Sequence, residues 1–223
     1  RAAIGFTFCL TLKTLIMKKL AKVFFTLSFI LFITPASADS PITSTQFSLA
    51  YEDESIVQVA RKSAGLLTDE LMQYLVDEKK PIAVKMALIN ELSWIPEGKN
   101  NTKKFVDFLK KTKKYHDVQT IKQQSSADIL LSLAYIQALE NRHDAKDAVA
   151  YAELAKNKNK QSYTVQIISG VIKAQLMFDI SWCESFHATD NVRKNSANLN
   201  MDMRANASEM IFEYMDLYES YCK

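Results

Sequence analysis

The residues best suited to chemistry in this sequence are two cysteines and a histidine in its last fifth. Cys183 and His187 have a spacing typical of metal ligands, and Cys222 could supply a third ligand. The third cysteine, Cys9, lies in the N-terminal segment that we predict below to be removed, and the two cysteines that remain would most simply pair with each other in an oxidising compartment. We therefore predict a Cys183–Cys222 disulfide, which would stabilise the fold by roughly 4 kcal/mol in the chain-entropy model. Metal binding by the three residues is the alternative, for which a fourth ligand is not evident.

The other two histidines, His116 and His143, do not belong to a recognisable catalytic motif. The sequence contains no H-E-x-x-H, and no two histidines fall within one helical turn, so a zinc hydrolase has little support. The G-x-S-x-G motif of serine hydrolases is also missing. An enzyme would need a site assembled from distant residues, for which His187, Asp190 and Glu184 are the best candidates. We predict no cofactor and no bound metal.

Charged residues form several clusters along the chain. The acidic residues 52–54 and 77–78 do not have the spacing of a calcium-binding loop, and such clusters usually form solvated faces. Lysines are concentrated in residues 103–114 and 156–160. A solvated surface is again the simplest interpretation, and docking to an acidic protein or to lipid headgroups is the alternative.

The loop WIPEGKNN, residues 94–101, is the most unusual stretch of the sequence. Large aromatic side chains on loops often anchor a partner protein. The alternative is that the tryptophan folds back onto the core. The predicted partner-binding residues are Trp94, Ile95, Lys99, Asn100 and Asn101.

The stretch MKKLAKVFFTLSFILFITPASADS, residues 17–40, has the three parts of a secretory signal peptide. A basic start precedes an apolar run from Val23 to Ile33, which is shorter than the roughly 20 residues of a membrane span. The small residues Ala36 and Ala38 then predict cleavage before Asp39. We interpret residues 1–16 as an upstream extension of the reading frame, 17–38 as the signal peptide and 39–223 as a single domain. A retained membrane anchor is the alternative.

Removal of this segment would change the charge of the protein. The whole sequence has a net charge of +3, but residues 1–38 contain five basic residues and no acidic one. Residues 39–223 therefore carry a net charge of −2. Non-specific attraction to nucleic acid needs a basic surface, so we expect no nucleic-acid partner.

The composition of residues 39–223 predicts an all-α fold. The whole sequence has only four glycines and four prolines, which all-β folds use heavily in their turns. Helix-forming residues are abundant, and apolar residues recur at helical spacing. We expect about eight helices packed as antiparallel hairpins, either as a helical bundle or as a short α-solenoid-like array. Residues 189–206, which are rich in asparagine, are expected to form a loop or a weak helix.

Two segments resemble known helical repeats. LMQYLVDEKKPIAVKMALINEL, residues 71–92, resembles a HEAT-type unit, in which two helices are joined by a charged turn. ILLSLAYIQALENRHDAKDAVAYAELA, residues 129–155, resembles a TPR-type hairpin with small residues where its helices cross. The resemblance implies stacked hairpins and a concave surface for a protein partner, and it implies no reaction.

These features favour an exported protein, periplasmic or secreted, that acts as an adaptor or accessory factor by binding another protein. A periplasmic inhibitor or immunity protein against a toxin or hydrolase is the first alternative. An enzyme with a site near His187 is the second. We expect no stable membrane anchor after cleavage.

Overall fold

In the computed structural model, the described residues are 40–92 and 98–223, and they form helices and no strand. The all-α prediction is therefore confirmed, with eleven α-helices in these residues rather than about eight. The predicted signal peptide and its cleavage site at Ala36, Ala38 and Asp39 lie outside the described residues. The helices are α1 (Pro41–Ser44), α2 (Ser55–Lys62), α3 (Asp69–Val76), α4 (Ile82–Glu91), α5 (Asn101–Lys113), α6 (Val118–Gln124), α7 (Ala127–Glu140), α8 (Lys146–Lys158), α9 (Tyr163–Phe178), α10 (Trp182–Lys194) and α11 (Ala205–Met215). Three 3₁₀ segments cover Phe47–Tyr51, Ser196–Asn198 and Asp216–Tyr221.

Side-chain caps explain several of the helix boundaries. Thr68 accepts a hydrogen bond from the Leu71 backbone N–H, and Ser126 accepts one from that of Ile129. Each cap satisfies one of the backbone donors that a helix leaves free at its start. Gly65 follows α2 with a positive φ of 80°, which a glycine adopts without steric cost.

Two helices lie at the centre of the molecule. In α7, only Asp128, Gln137 and Glu140 are not buried, and in α4 only Ile82 is not. A helix that is buried on all sides must be surrounded by other helices, and α7 indeed contacts α3, α4, α5, α8 and α9. The arrangement is therefore a bundle around a central helix, because in a solenoid each repeat contacts only its neighbours. The two segments that resemble HEAT and TPR units do form helix pairs, α3 with α4 and α7 with α8.

The α9–α10 hairpin carries the C-terminal part of the chain and packs closely at Gly170. A Cβ atom built on Gly170 would lie 2.6 Å from the carbonyl oxygen of Ala188 on α10. The Ser185 hydroxyl donates a hydrogen bond of 2.9 Å to the carbonyl of Ala174 on α9. The absence of a side chain at residue 170 thus allows the two helix backbones to approach each other.

The sequence-based prediction missed two helices. α6 is short and mostly polar, and only Ile121 is buried in it. α10 covers residues 182–194, so of the two alternatives given for residues 189–206, a loop or a weak helix, residues 189–194 are helical. Its Thr189 and Asp190 are polar but buried against neighbouring helices, so the apolar stripe that marks a helix in the sequence is incomplete.

Two helix ends are not set by a side-chain cap. The N-cap of α8 is Ala145, which offers no side-chain hydrogen bond. α11 ends at Met215, where the chain continues directly as the 3₁₀ segment Asp216–Tyr221. In residues 40–92 and 98–223, no helix combines the length and the apolar character that crossing a membrane requires.

Candidate functional site

The predicted cysteine pair is present in the structure as a disulfide between α10 and the C-terminal 3₁₀ segment. Ser181 caps α10 by accepting a hydrogen bond from the Glu184 backbone N–H, which places Cys183 in the first helical turn. Cys222 directly follows the 3₁₀ segment Asp216–Tyr221. The Sγ atoms of Cys183 and Cys222 are bonded, and their Cα atoms are 4.8 Å apart.

His187 lies one helical turn beyond Cys183 on α10. An imidazole nitrogen of His187 and the two sulfur atoms lie within 4.8 Å of one another. All three residues are half-buried. The sulfur and nitrogen atoms that the sequence singled out are therefore together in space, in the oxidised form of the cysteine pair.

Aromatic residues adjoin the disulfide in the sequence, because Trp182 precedes Cys183 and Tyr221 precedes Cys222. The ring centroids of Trp182 and Tyr221 are 4.5 Å apart in an edge-to-face arrangement, and Tyr218 lies edge-on to Phe178 at 5.5 Å. Such pairs are stabilising beyond the area they bury, by about 1 kcal/mol each. The aromatic cluster and the disulfide together fix the C-terminal segment onto the end of the α9–α10 hairpin.

Part of this cluster faces solvent. Ile180 is 71% exposed, Trp182 44% and Tyr221 53%. We call these three residues the aromatic patch. Large apolar side chains that remain exposed next to one another are a common feature of protein interaction sites. Trp182 and Tyr221 also have the residue types that contribute most to binding energy in such sites.

The aromatic patch has charged neighbours along the chain, most of them acidic. Asp179 and Glu184 flank it on α9–α10, and Glu219 lies on the 3₁₀ segment; all three are exposed. Lys223, next to Cys222, is exposed as well and offsets one of these charges. The exposed charged residues next to the aromatic patch in the sequence are thus mainly acidic.

Among the described residues, no hydrogen bond or ion pair joins His187 to Asp190 or to Glu184. Both carboxylate oxygens of Asp190 are paired, one with Arg193 at 2.9 Å and the other with Lys194 at 2.6 Å. Burial raises the pKa of Asp190, but the hydrogen bonds from Lys194 and Arg193 outweigh it, so the pKa lies below its usual range. Glu184 is exposed in the first turn of α10, where an acid is favourable. Asp190 therefore serves a structural ion-pair network.

The predicted partner-binding loop is only partly described. Trp94 and Ile95 lie outside the described residues, Lys99 is half-buried and Asn100 is exposed. Asn101, in contrast, is buried: its amide oxygen accepts from the Leu67 N–H at 2.9 Å and its amide nitrogen donates to the Gly65 carbonyl at 2.8 Å. Asn101 has a structural role, which corrects its assignment to a partner surface.

The end of this loop is held in place from α7. The Glu140 carboxylate accepts hydrogen bonds from the backbone N–H groups of Asn101 and Thr102, the second at 3.0 Å. It thus caps α5, whose own N-cap residue Asn100 makes no side-chain cap. Glu140 accordingly holds the start of α5, where the loop ends, against α7.

Lys85 is a fully buried amine, and buried lysines can serve as catalytic groups. It is fully buried on α4, and its ammonium group lies 2.7 Å from the Asp128 carboxylate on α7. The pair joins the two central helices. Lys85 does not line any of three grooves found in residues 40–92 and 98–223.

The lysine-rich helix α5 borders a shallow groove against α3. Asp69, Lys104, Asp107 and Lys111 line this groove, so its charges are mixed. Lys103 also pairs with Asp107 at 2.6 Å on the exposed face, and this hydrogen bond lowers the pKa of Asp107. The groove therefore does not have the uniform positive charge that docking of an anionic partner would need.

No protein-family model, curated protein or solved structure matches this chain. The functional interpretation consequently depends on the geometry of the chain itself.

Sequence reasoning found the disulfide but missed the aromatic patch. Ile180 lies in the short connection between α9 and α10, and Trp182 is the first residue of α10, so two apolar residues interrupt a polar stretch of the sequence. That interruption was a usable signal. Tyr221 is 39 residues from Trp182 in the sequence, and no local pattern reveals that their rings are in contact.

Proposed function

We propose that this protein is exported and acts by binding another protein through the aromatic patch, Ile180, Trp182 and Tyr221. The observation that carries the proposal is the exposure of these side chains at a place where a disulfide and aromatic packing fix the backbone. A rigid surface loses little conformational entropy on binding, which favours affinity. The role is that of an adaptor or accessory factor of the cell envelope.

Export is supported by the signal-peptide pattern of residues 17–38 and, more weakly, by the disulfide. Disulfides persist in oxidising compartments, such as the periplasm and the extracellular space. The proposal accordingly places the protein in the periplasm or outside the cell. N-terminal sequencing of the protein after export tests this part, because cleavage before Asp39 is expected.

The charges near the aromatic patch indicate what kind of surface the partner presents. The exposed acids Asp179, Glu184 and Glu219 near the patch favour a partner that presents an apolar pocket with lysine or arginine residues around it. Opposite charges at the rim of an interface accelerate association and weaken with salt. Binding is therefore expected to be faster at low ionic strength.

The test is a co-purification from envelope extract with a matched pair of variants. Ile180→Asp places a charge at the most exposed residue of the patch, and Met201→Asp places the same charge at an apolar side chain that is 58% exposed elsewhere. We expect a stoichiometric partner with the wild-type protein and Met201→Asp, and a loss of at least tenfold with Ile180→Asp. Equal capture by both variants would place the interaction on another surface.

The identity of the captured protein then defines the role. A stoichiometric toxin or hydrolase whose activity falls on binding would make the protein an inhibitor. An envelope component without such an activity would make it an adaptor. Absence of any stoichiometric partner, with the wild-type protein folded, would contradict the proposal.

A further inference from the structure

Reduction of the disulfide would leave a set of donor atoms that is typical of zinc sites. The two sulfur atoms and one imidazole nitrogen of Cys183, Cys222 and His187 already lie within 4.8 Å of one another. The ligands of a tetrahedral zinc ion lie about 3.5–4 Å apart, given Zn–S and Zn–N bonds of roughly 2.3 and 2.0 Å. The geometry points to a second, reduced state of this protein in which Cys183, Cys222 and His187 bind one Zn²⁺ ion. The inference does not depend on the proposed partner.

Contacts other than the disulfide would keep Cys222 near Cys183 after reduction. Arg193 on α10 donates two hydrogen bonds to the Asp216 carboxylate, at 2.8 and 2.9 Å, and so ties the start of the 3₁₀ segment to α10. The ring of Tyr218 packs against those of Phe178 and Trp182, 5.5 and 6.3 Å away. The ligands are therefore pre-positioned by packing, which lowers the entropic cost of metal binding.

Two of the three ligands also have a favourable local geometry. Cys183 and His187 are separated by one turn of α10, so both side chains project from the same face. Because their helix is continuous from Trp182 to Lys194, the separation of these two ligands is set by the helix itself. Only Cys222 has to move when the S–S bond opens.

The chemistry balances with a reductant supplied from outside. A dithiol donates two electrons and two protons to the S–S bond, which breaks to give two cysteine thiols, while the dithiol leaves as its own disulfide. Zn²⁺ then displaces the two thiol protons to solvent and accepts a lone pair from the neutral imidazole. Two thiolates neutralise the charge of the ion.

This ligand set favours Zn²⁺ over harder cations. Thiolate and imidazole donors select zinc and other soft ions, whereas Mg²⁺ and Ca²⁺ require oxygen ligands. Three protein ligands leave the fourth tetrahedral position for water, as in zinc sites that remain open. The half-buried position of the ligands gives that water access to the site.

The experiment compares the oxidised and reduced protein under nitrogen. The disulfide is reduced with a phosphine, which is then removed, and Zn²⁺ is titrated against a chromophoric chelator. We expect one equivalent of Zn²⁺ per reduced chain and none with the disulfide intact. Co²⁺ used as a probe should give thiolate-to-metal charge-transfer absorption in the reduced protein only, which reports sulfur ligation directly.

Variants assign the ligands. His187→Ala should weaken Zn²⁺ binding by the reduced protein at least tenfold, and Cys222→Ser should abolish the one-equivalent site. His143→Ala, which removes an exposed histidine elsewhere, is the matched control and should bind like the wild type. Circular dichroism of the reduced protein verifies that the helices remain.

Three results would overturn the inference. Unchanged affinity in His187→Ala would show that the thiols bind the ion without the histidine. Equal binding by the oxidised protein would place the ion elsewhere. Loss of helical structure on reduction would show that the packing around Tyr218 and Arg193 does not hold the ligands together.

Discussion

Asn90 joins three segments of the core with a single buried side chain. Its amide oxygen accepts from the Ser48 N–H at 2.9 Å, and its amide nitrogen donates to the Thr45 carbonyl at 2.9 Å and to the Tyr135 hydroxyl at 2.8 Å. The three partners lie before the first 3₁₀ segment, within it and on α7. At the scale of the residue, this is how α4 connects the N-terminal segment to the central helix.

Asn90→Ala is expected to lower the free energy of unfolding by roughly 3 kcal/mol or more, because three buried polar groups lose their partner at once. Urea denaturation measures the change. Asn191→Ala, at an exposed position of α10, is the control and should change stability by less than about 0.5 kcal/mol. A small loss with Asn90→Ala would mean that water takes over the three hydrogen bonds.

Asp190 predicts a pH dependence of stability. Its folded-state pKa is lowered, because the hydrogen bonds from Lys194 and Arg193 outweigh the effect of burial. A carboxylate with a lowered pKa stabilises the fold above its unfolded-state pKa of about 3.9, and this contribution disappears as the pH falls through the folded-state pKa. Asp190→Asn should therefore be roughly 2 kcal/mol less stable than the wild type at pH 7, with a smaller difference in strong acid.

Denaturation of both proteins at neutral and at strongly acidic pH measures this difference. Asp144→Asn, at an exposed position, serves as the control and should show little difference at either pH. A difference between Asp190→Asn and the wild type that stays constant with pH would mean that the ion pairs contribute nothing to stability.

At the scale of the helix, the close approach of α9 and α10 depends on Gly170. Gly170→Ala would place a methyl group 2.6 Å from the Ala188 carbonyl oxygen, so the two helices must move apart. Alanine stabilises a helix interior by about 1 kcal/mol relative to glycine, whereas overpacking lowers the stability of the fold by about 1–3 kcal/mol. We expect a net loss of stability.

Gly98→Ala is the matched substitution for this test. Gly98 has a φ of 71° and no atom within 4 Å of a built Cβ, so alanine there meets backbone strain of about 1 kcal/mol and no clash. Thermal unfolding of both variants separates the two causes. A more stable Gly170→Ala protein would show that the hairpin opens at no cost.

Helix boundaries could be predicted where a local interaction sets them. Thr68, Ser126 and Ser162 are of residue types that commonly cap helices, and each accepts a hydrogen bond from the backbone N–H three residues later. Boundaries set by distant residues could not. α5 is capped by Glu140, which follows Asn101 by 39 residues, and no local pattern reveals that contact.

In the candidate site, too, a feature that depends on the contact of distant residues could not be predicted. The pairing of Cys183 with Cys222 could be predicted without geometry, because these are the two cysteines that follow the predicted cleavage site. The aromatic patch needs the position of Tyr221 relative to Trp182, which only the folded C-terminal segment provides. α10 was not predicted as a helix, in part because aspartate is common in loops. Asp190 is instead buried on a helix, where it forms ion pairs with Arg193 and Lys194.

At the scale of the whole molecule, the disulfide connects residues 39 positions apart in the sequence. Reduction without metal is expected to lower the free energy of unfolding by about 4 kcal/mol, because the unfolded chain regains the entropy of an open loop. Urea denaturation with and without reductant measures the change. Cys183→Ser should reproduce the effect of reductant, and reductant should leave its stability unaltered.

Arg204 makes a contact of still longer range. Its guanidinium donates to the Ala50 carbonyl at 2.7 Å and lies 4.6 Å from the centre of the Tyr51 ring, and its backbone N–H donates to the Tyr51 hydroxyl at 2.9 Å. Ile42, fully buried, likewise donates its backbone N–H to the side chain of Gln175. Residues 42–51 thus depend on residues 175–204 for part of their hydrogen bonding.

These long-range contacts can form only late in the synthesis of the chain. Residues 42–51 are made early, but their packing partners leave the ribosome more than a hundred residues later. Contacts so distant in sequence form late, because closing a long loop costs entropy before any contact repays it. Until Arg204 has been made, the chain lacks a complete core. A growing chain of this protein therefore lacks these stabilising contacts until nearly all of its residues have been made.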